Sequence, residues 1–262
     1  MTEQELILTA ILGCERVDLY QKELSFTTVQ QERYQDITFR RLQGEPLQYL
    51  LGETEFFGLR LQVDRRTFIP RPETEVLVET ILARVQNRKA KIDILELGTG
   101  SGNIAVSLAK HLPGARIVTV DISDGALTVA KQNAVHHGVA EQILFLQADM
   151  VDFLAGRSGD LFYDCVVSNP PYIPSGQLSD LPRDVQQEPR LSLDGGVDGL
   201  KFYHPLIKAW SLLKEQGRLF FEFGDGQRRA LEVILQNKMD TYSYEFVQDL
   251  SGRDRSAVLQ KT

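Results

Sequence analysis

Glu96-Leu97-Gly98-Thr99-Gly100-Ser101-Gly102-Asn103 joins the apolar run Ile92-Asp93-Ile94-Leu95 to a helical pattern over Asn103 to His111. A buried strand, a glycine-rich turn and a helix in that order form one unit of a parallel α/β sheet. The glycines stand at every second position. A dinucleotide fingerprint needs its third glycine one residue later, where this chain has Asn103, so a cofactor without a pyrophosphate fits better. Lacking Cβ atoms, Gly98, Gly100 and Gly102 let the backbone pass close beneath a ligand with an amino-acid moiety, whose carboxylate the helix N-terminus can hold. The alternative is a tight strand-to-helix turn that holds nothing.

Downstream the alternation continues. Strands are expected over Arg116 to Val120, Ile143 to Gln147, Tyr163 to Ser168 and Arg218 to Phe223, with helices over Ala126 to His136 and near Tyr203 to Leu213. Tyr242 to Asp249 and Ser256 to Leu259, around Gly252, suit an antiparallel edge hairpin. In such sheets ligands bind beyond the carboxyl ends of the strands, so function belongs to the loops after Leu97, Val120, Gln147 and Ser168.

Upstream the first fifty residues read as helical. Leu6, Ile7, Ala10 and Ile11 recur at helical spacing, and Thr27 to Gln31 looks like a capped start before Tyr34, Ile37 and Leu42. The period then turns strand-like, and Phe56 to Val63 suggests a hairpin turning at Gly58. Ile69-Pro70-Arg71-Pro72-Glu73-Thr74-Glu75 marks a domain boundary, with Thr74 or Glu73 placed to cap the helix that carries Val76, Leu77, Val78 and Ile81.

Composition narrows the partners. The chain has 262 residues, a formal charge of −7 and two cysteines, with a pI near 5.2. Disorder as the main state, a disulfide framework and a zinc site are disfavoured, and no metal is expected. No segment approaches the ~20 apolar residues of a membrane span, and no secretory signal opens the chain. A soluble cytoplasmic protein is expected. Free nucleic acid is a poor partner for so acidic a surface.

Asp121 ends the second strand, where a carboxylate can accept both ribose hydroxyls; a helix N-cap is its ordinary alternative. Asp149 ends the third strand, and with Met150 it suits the amino group and face of an adenine, or else forms a surface turn. The fourth strand opens into Asn169-Pro170-Pro171-Tyr172. Two prolines stiffen that loop and leave carbonyl acceptors flanked by an amide oxygen and an aromatic ring. A planar group bearing an NH₂ could donate both hydrogens there; a rigid turn without function is the alternative. His111, His136, His137 and His204 lie on or beside helices, away from this motif in sequence.

This set of motifs resembles the class I S-adenosylmethionine-dependent methyltransferases that modify planar nitrogens. Gly44 to Leu50 with Phe56-Phe57-Gly58, then Ile69 to Glu75, Glu188-Pro189-Arg190, and Leu193-Asp194-Gly195-Gly196 with Asp198-Gly199-Leu200 are similar to the release-factor glutamine methyltransferase family. The resemblance implies an N-terminal helical substrate-recognition domain over 1–50, a β-hairpin linker over 51–72, and a Rossmann-like seven-stranded α/β domain over 73–262. It further implies S-adenosylmethionine held by Gly98, Thr99, Gly100, Ser101, Gly102, Asp121, Asp149, Met150 and Asn169. The glutamine of a Gly-Gly-Gln segment in a class-1 peptide chain release factor would lie on Asn169, Pro170, Pro171 and Tyr172, with Asn169, Pro170 and Tyr172 carrying the chemistry. A monomer is expected. Two departures stand out: the helical domain looks short at its N-terminus, and Met150 stands where some relatives carry a Trp.

An adenine N6 methyltransferase would use the same tetrapeptide. Residues 1 to 72 carry nine basic against eleven acidic side chains, however, so the extra domain is no basic clamp. Ribosomal-protein glutamine methylation and a silent cofactor-binding module are the other rivals.

Overall fold

The computed structural model describes residues 2–21, 24–156, 162–236 and 242–261. Helix α1 (Glu3–Leu12) and helix α3 (Thr28–Leu42) both start with a capping box, Thr2 with Glu5 and Thr27 with Gln30. The Thr27 start is the expected one. With short α2 (Asp18–Gln21) and α4 (Leu47–Leu51), they enclose a small apolar cluster built on Ile7, Ile11, Ile37 and Leu47. Leu42, expected on the apolar face, is exposed instead.

Strands β1 (Glu53–Phe56) and β2 (Leu59–Gln62) pair antiparallel and turn through Phe57 and Gly58. Both turn residues have positive φ, 51° and 71°. That is the left-handed geometry two-residue hairpins favour. Phe56 and Leu61 bury their side chains in the core of the large sheet, so the hairpin is stitched to it.

Helix α5 (Pro72–Arg84) begins earlier than the capping expectation required. Its N-cap is Arg71, without a side-chain bond, and Pro72 opens the first turn. Proline suits that place because its φ is preset and its missing N–H would have been unpaired anyway. Neither Thr74 nor Glu73 caps the helix. Thr74 is instead fully buried, and its hydroxyl bonds Glu222.

The main sheet uses β3 (Ile92–Leu97), β4 (Ala115–Asp121), β5 (Ile143–Gln147), β6 (Tyr163–Ser168), β7 (Leu213–Glu222), β8 (Tyr242–Gln248) and β9 (Asp254–Lys261). Their order is β5-β4-β3-β6-β7-β9-β8, with the first five parallel and β9 antiparallel between β7 and β8. Helices α6 (Asn103–His111), α7 (Asp124–His136), α8 (Met150–Ala155), α9 (Tyr203–Lys208) and α10 (Arg228–Gln236) connect them. Two findings differ from expectation: the helix from Tyr203 tightens into a 3₁₀ turn over Ala209–Leu212, and β7 starts at Leu213, well before Arg218. Two apolar cores cover the two faces of the sheet.

Register sets the site. Leu97 pairs with both Val120 and Ser168, and Asp121 with Gln147, so four carboxyl ends lie level. Fully buried Asn133 on α7 then ties the hairpin to the loop after β3. Its oxygen accepts from Gln62 N–H at 2.7 Å, and its Nδ2 donates to the carbonyls of Gln62 at 2.9 Å and Ser101 at 2.8 Å. Removing it leaves the buried Ser101 carbonyl and both backbone groups of Gln62 without these partners. Asn133→Ala should therefore lower folding stability in urea by about 2–4 kcal/mol, and an unchanged midpoint would show that the stitch is dispensable.

Candidate active site

The glycine loop leaves β3 through three residues of positive φ, Gly98 at 82°, Gly100 at 54° and Gly102 at 82°. They serve different purposes. A Cβ at Gly98 would lie 3.7 Å from Met150 Cε and 3.9 Å from the Asn169 carbonyl oxygen, so three loops meet there. A Cβ at Gly100 would meet nothing within 4 Å. At Gly102 it would press on Ala130 at 3.1 Å, so this glycine serves helix packing and does not line the ligand face. Thr99 and Ser101 are buried, and the Thr99 hydroxyl bonds Glu96 at 2.8 Å. Both turn their side chains into the protein and offer a ligand only backbone.

Asp121 receives the Gly100 N–H on Oδ2 and the Ser123 N–H on Oδ1, each at 2.9 Å. Burial pushes its carboxyl above the ordinary value, and N–H groups of Ser123, Gly100, Thr99 and Ile122 oppose that. It is no helix cap, since Ser123 caps α7. Asp149 does cap a helix: its Oδ1 accepts from Val151 at 2.7 Å and Asp152 at 3.3 Å at the start of α8, leaving its second oxygen outside that cap. An open glycine edge with a carboxylate on one side and a thioether on the other fits a nucleoside joined to an amino acid.

Beyond β6, whose last hydroxyl, on Ser168, bonds the Leu97 carbonyl at 2.7 Å, comes the Asn-Pro-Pro-Tyr loop. Asn169 donates from Nδ2 to Thr74 Oγ1 at 3.0 Å, and Thr74 donates to Glu222 Oε2 at 2.7 Å. The Tyr172 hydroxyl reaches Glu222 Oε1 at 3.5 Å. Among the described residues no donor holds Asn169 Oδ1 or the Pro170 carbonyl. Those are the two acceptors the tetrapeptide was expected to present.

Glu222 and Thr74 were not foreseen in these places. One signal was available: Glu222 is a lone carboxylate in Leu219-Phe220-Phe221-Glu222-Phe223. Glu96 is its counterpart at the other loop, where it accepts from Thr99, Thr119 and the Ala105 N–H.

A strap over residues 188–200 braces the tetrapeptide. Glu188 bonds Arg71 and accepts from Ile69 N–H at 2.9 Å, joining the segment before α5 to the strap. A Cβ at Gly195 would lie 2.8 Å from Tyr172 backbone, and one at Gly199 2.5 Å from its carbonyl oxygen. Close approach thus explains these two glycines. Gln227 closes the brace by donating to the carbonyls of Tyr172 at 3.0 Å and Gly199 at 3.2 Å. The histidines stand elsewhere: His111 faces its own helix at the Ser107 carbonyl, and His137 the Arg60 carbonyl. Among the described residues no group of three or more His, Cys, Asp or Glu could hold a metal, and no helix is long and apolar enough to cross a membrane.

Five parallel strands extended by an antiparallel pair, with the glycine loop after β3 and an acidic residue ending β4, define a class I, Rossmann-like methyltransferase. The structure of the O-methyltransferase TomG from Streptomyces achromogenes, solved with S-adenosylmethionine, shares this fold at a TM-score of 0.50 and 16% identity over 100% of both chains. Residues 72–182 match the Methyltransferase small domain model, and residues 2–52 match the PrmC N-terminal domain model. A release factor glutamine methyltransferase of Moorella thermoacetica is 45% identical over 217 residues, covering 82% of this chain and 75% of that protein. One from Chlorobaculum tepidum is 38% identical over 259 residues, covering 96% and 87%. The chain belongs to the release factor glutamine methyltransferase family.

Burial makes the two inner carboxylates pH-sensitive. It pushes Glu96 and Glu222 each from 4.5 up to about 7, against the hydroxyl and N–H donors around them. The folded state then holds a proton the unfolded chain releases, so their contribution is complete below about pH 4.5 and is lost as pH rises through 7. At 1.36 kcal/mol per unit, each carboxyl contributes up to ~3 kcal/mol of this slope. Urea midpoints should fall between pH 5 and pH 8, and Glu96→Gln should flatten that fall by roughly half; a variant with the wild-type slope would contradict the assignment.

Proposed function

We propose that this protein methylates the side-chain amide nitrogen (N5) of the glutamine in the Gly-Gly-Gln motif of class-1 peptide chain release factors, with S-adenosylmethionine as methyl donor. Family membership supports the substrate. The observation that carries the chemistry is the approach at Gly98, where the Asn169 carbonyl lies beside the glycine loop and brings an acceptor-rich loop against the cofactor cradle. Residues 1–50 serve as the recognition domain, 51–72 as linker and 73–262 as the methyltransferase domain. We assign it to the cytoplasm as a monomer that uses no nucleic acid.

Backbone of Gly98 to Ser101, with Asp121, Asp149 and Met150, would hold the cofactor, which when bound supplies an electrophilic sulfonium methyl. The chain's residues prepare the nucleophile. An amide nitrogen is weak because its lone pair is delocalised into the carbonyl, the conjugation behind the ~18–20 kcal/mol rotation barrier of peptide bonds. Asn169 Oδ1 and the Pro170 carbonyl accept the two amide hydrogens, which fixes the plane of the group and favours positive charge growing on nitrogen. Tyr172 packs beside that plane. The product sheds its extra proton readily, so no strong base is needed.

Two outcomes test this. Asn169→Ala should lower kcat by on the order of 10²–10³, with cofactor affinity unchanged because the Asn169 atom beside the glycine loop is its backbone carbonyl, which alanine keeps; near-normal turnover would refute the role. Asp121→Ala should weaken cofactor binding by about 10- to 100-fold in calorimetry, the loss of hydrogen bonds to a charged acceptor. Incubation with labelled cofactor and a Gly-Gly-Gln release-factor domain decides the substrate. Label appearing in ribosomal protein, in adenine or in nothing would overturn it.

A further inference from the structure

We propose that Glu222, acting through the Thr74 hydroxyl, fixes which end of the Asn169 side-chain amide faces the methyl acceptor. The proposal rests on the amide-methylation reading above and makes both residues positioning residues for that reaction.

The two ends of a carboxamide are nearly the same size, so only hydrogen bonds decide which way it points. Here they form a directed chain. Glu222 is 1% exposed, and once it is ionised, above about pH 7, it can only accept. Thr74, itself 0% exposed, gives its single hydrogen to Glu222 Oε2 at 2.7 Å. A hydroxyl whose hydrogen is committed can only accept on its other side, so the group facing it must be a donor. Asn169 meets that demand with Nδ2 at 3.0 Å, an end of the amide that Glu222 also attracts directly, and among the described residues no donor holds Oδ1. A flipped Asn169 would set its oxygen against a hydroxyl oxygen, or draw the Thr74 hydrogen away from a carboxylate that has no water to replace it.

The orientation matters to the reaction. Outward Nδ2 would confront the N–H groups of the acceptor donor to donor; outward Oδ1 receives one of them. Residue 222 also meets the far end of the loop, since its second oxygen faces the Tyr172 hydroxyl. Glu222 ends β7, Thr74 lies in the first turn of α5, and Asn169 follows β6, so three elements distant in sequence converge on one torsion angle.

Thr74→Val keeps the branched shape and removes the hydroxyl. We expect its kcat to fall on the order of 10- to 100-fold, as for a misaligned near-attack geometry, with cofactor affinity unchanged and Thr74→Ser recovering most of the rate. The double variant Thr74→Val with Asn169→Ala should be no slower than Asn169→Ala alone, because the threonine acts through the asparagine. A wild-type kcat in Thr74→Val, or a further loss in the double variant, overturns the proposal. Should Thr74→Val fail to bind cofactor, Glu222→Gln carries the same test: its amide can donate to Thr74 or accept from it, so polarity is no longer imposed and kcat should fall. Undiminished kcat there overturns the proposal. If the wild type labels adenine or ribosomal protein in place of the release factor, the substrate reading fails alone, and the same variants on that acceptor still decide the orientation. A wild type that labels nothing overturns both.

Discussion

A carboxylate taken out of water must be given donors or a proton, and this sheet takes two out, Glu96 and Glu222, near the carboxyl ends of β3 and β7. The penalty of leaving such a group unpaired is several kcal/mol. It is offset by donors that belong to functional loops. Glu96 draws in Thr99 of the glycine loop, Thr119 of the neighbouring strand and the Ala105 N–H in the first turn of α6. Glu222 draws in Thr74 and also Asn169, which it meets both through the Thr74 hydroxyl and directly. The glycine loop and the tetrapeptide are thereby each pinned to the sheet from below by a buried carboxyl group.

Pinning has consequences for motion. Loops are ordinarily the least ordered parts of a fold. Here the glycine loop is held by Glu96 and Asn133, and the tetrapeptide by two prolines, Glu222, Gln227 and the glycines of the strap. Both loops are therefore arranged by contacts within the protein itself. That is the condition under which orientation lowers a barrier, since little rearrangement is left to perform.

Much of this was legible in sequence, for a physical reason. Strand, glycine turn and helix are local, so Ile92–Leu97 and Asn103–His111 could be placed to the residue from periodicity and the turn alone. The hairpin and the capped start at Thr27 were legible for the same cause. What escaped was non-local. Thr74 reads as an N-cap because Ser and Thr ordinarily cap, but Pro72 takes the helix start and frees the hydroxyl for a partner 148 residues away. Nor does the order of three glycines tell which lines a ligand face and which packs on a helix. The answer for Gly102 lies in Ala130, on the next helix.

The absence of a base near the tetrapeptide acquires a meaning from these contacts. The titratable groups tied to Asn169 by hydrogen bonds are Glu222, which accepts from Thr74, and, on the other oxygen of that carboxyl, Tyr172, whose phenol burial pushes up. Neither is placed to remove a proton from an acceptor on the far side of Asn169. A reaction that required base catalysis would be poorly served by this site. One that required a flat NH₂ group to be held rigidly, with its lone pair free on one face, is served by every contact described. In the proposed reaction the two buried carboxyls would act as organisers of posture, and the catalytic contribution would come from the neutral acceptors of the tetrapeptide.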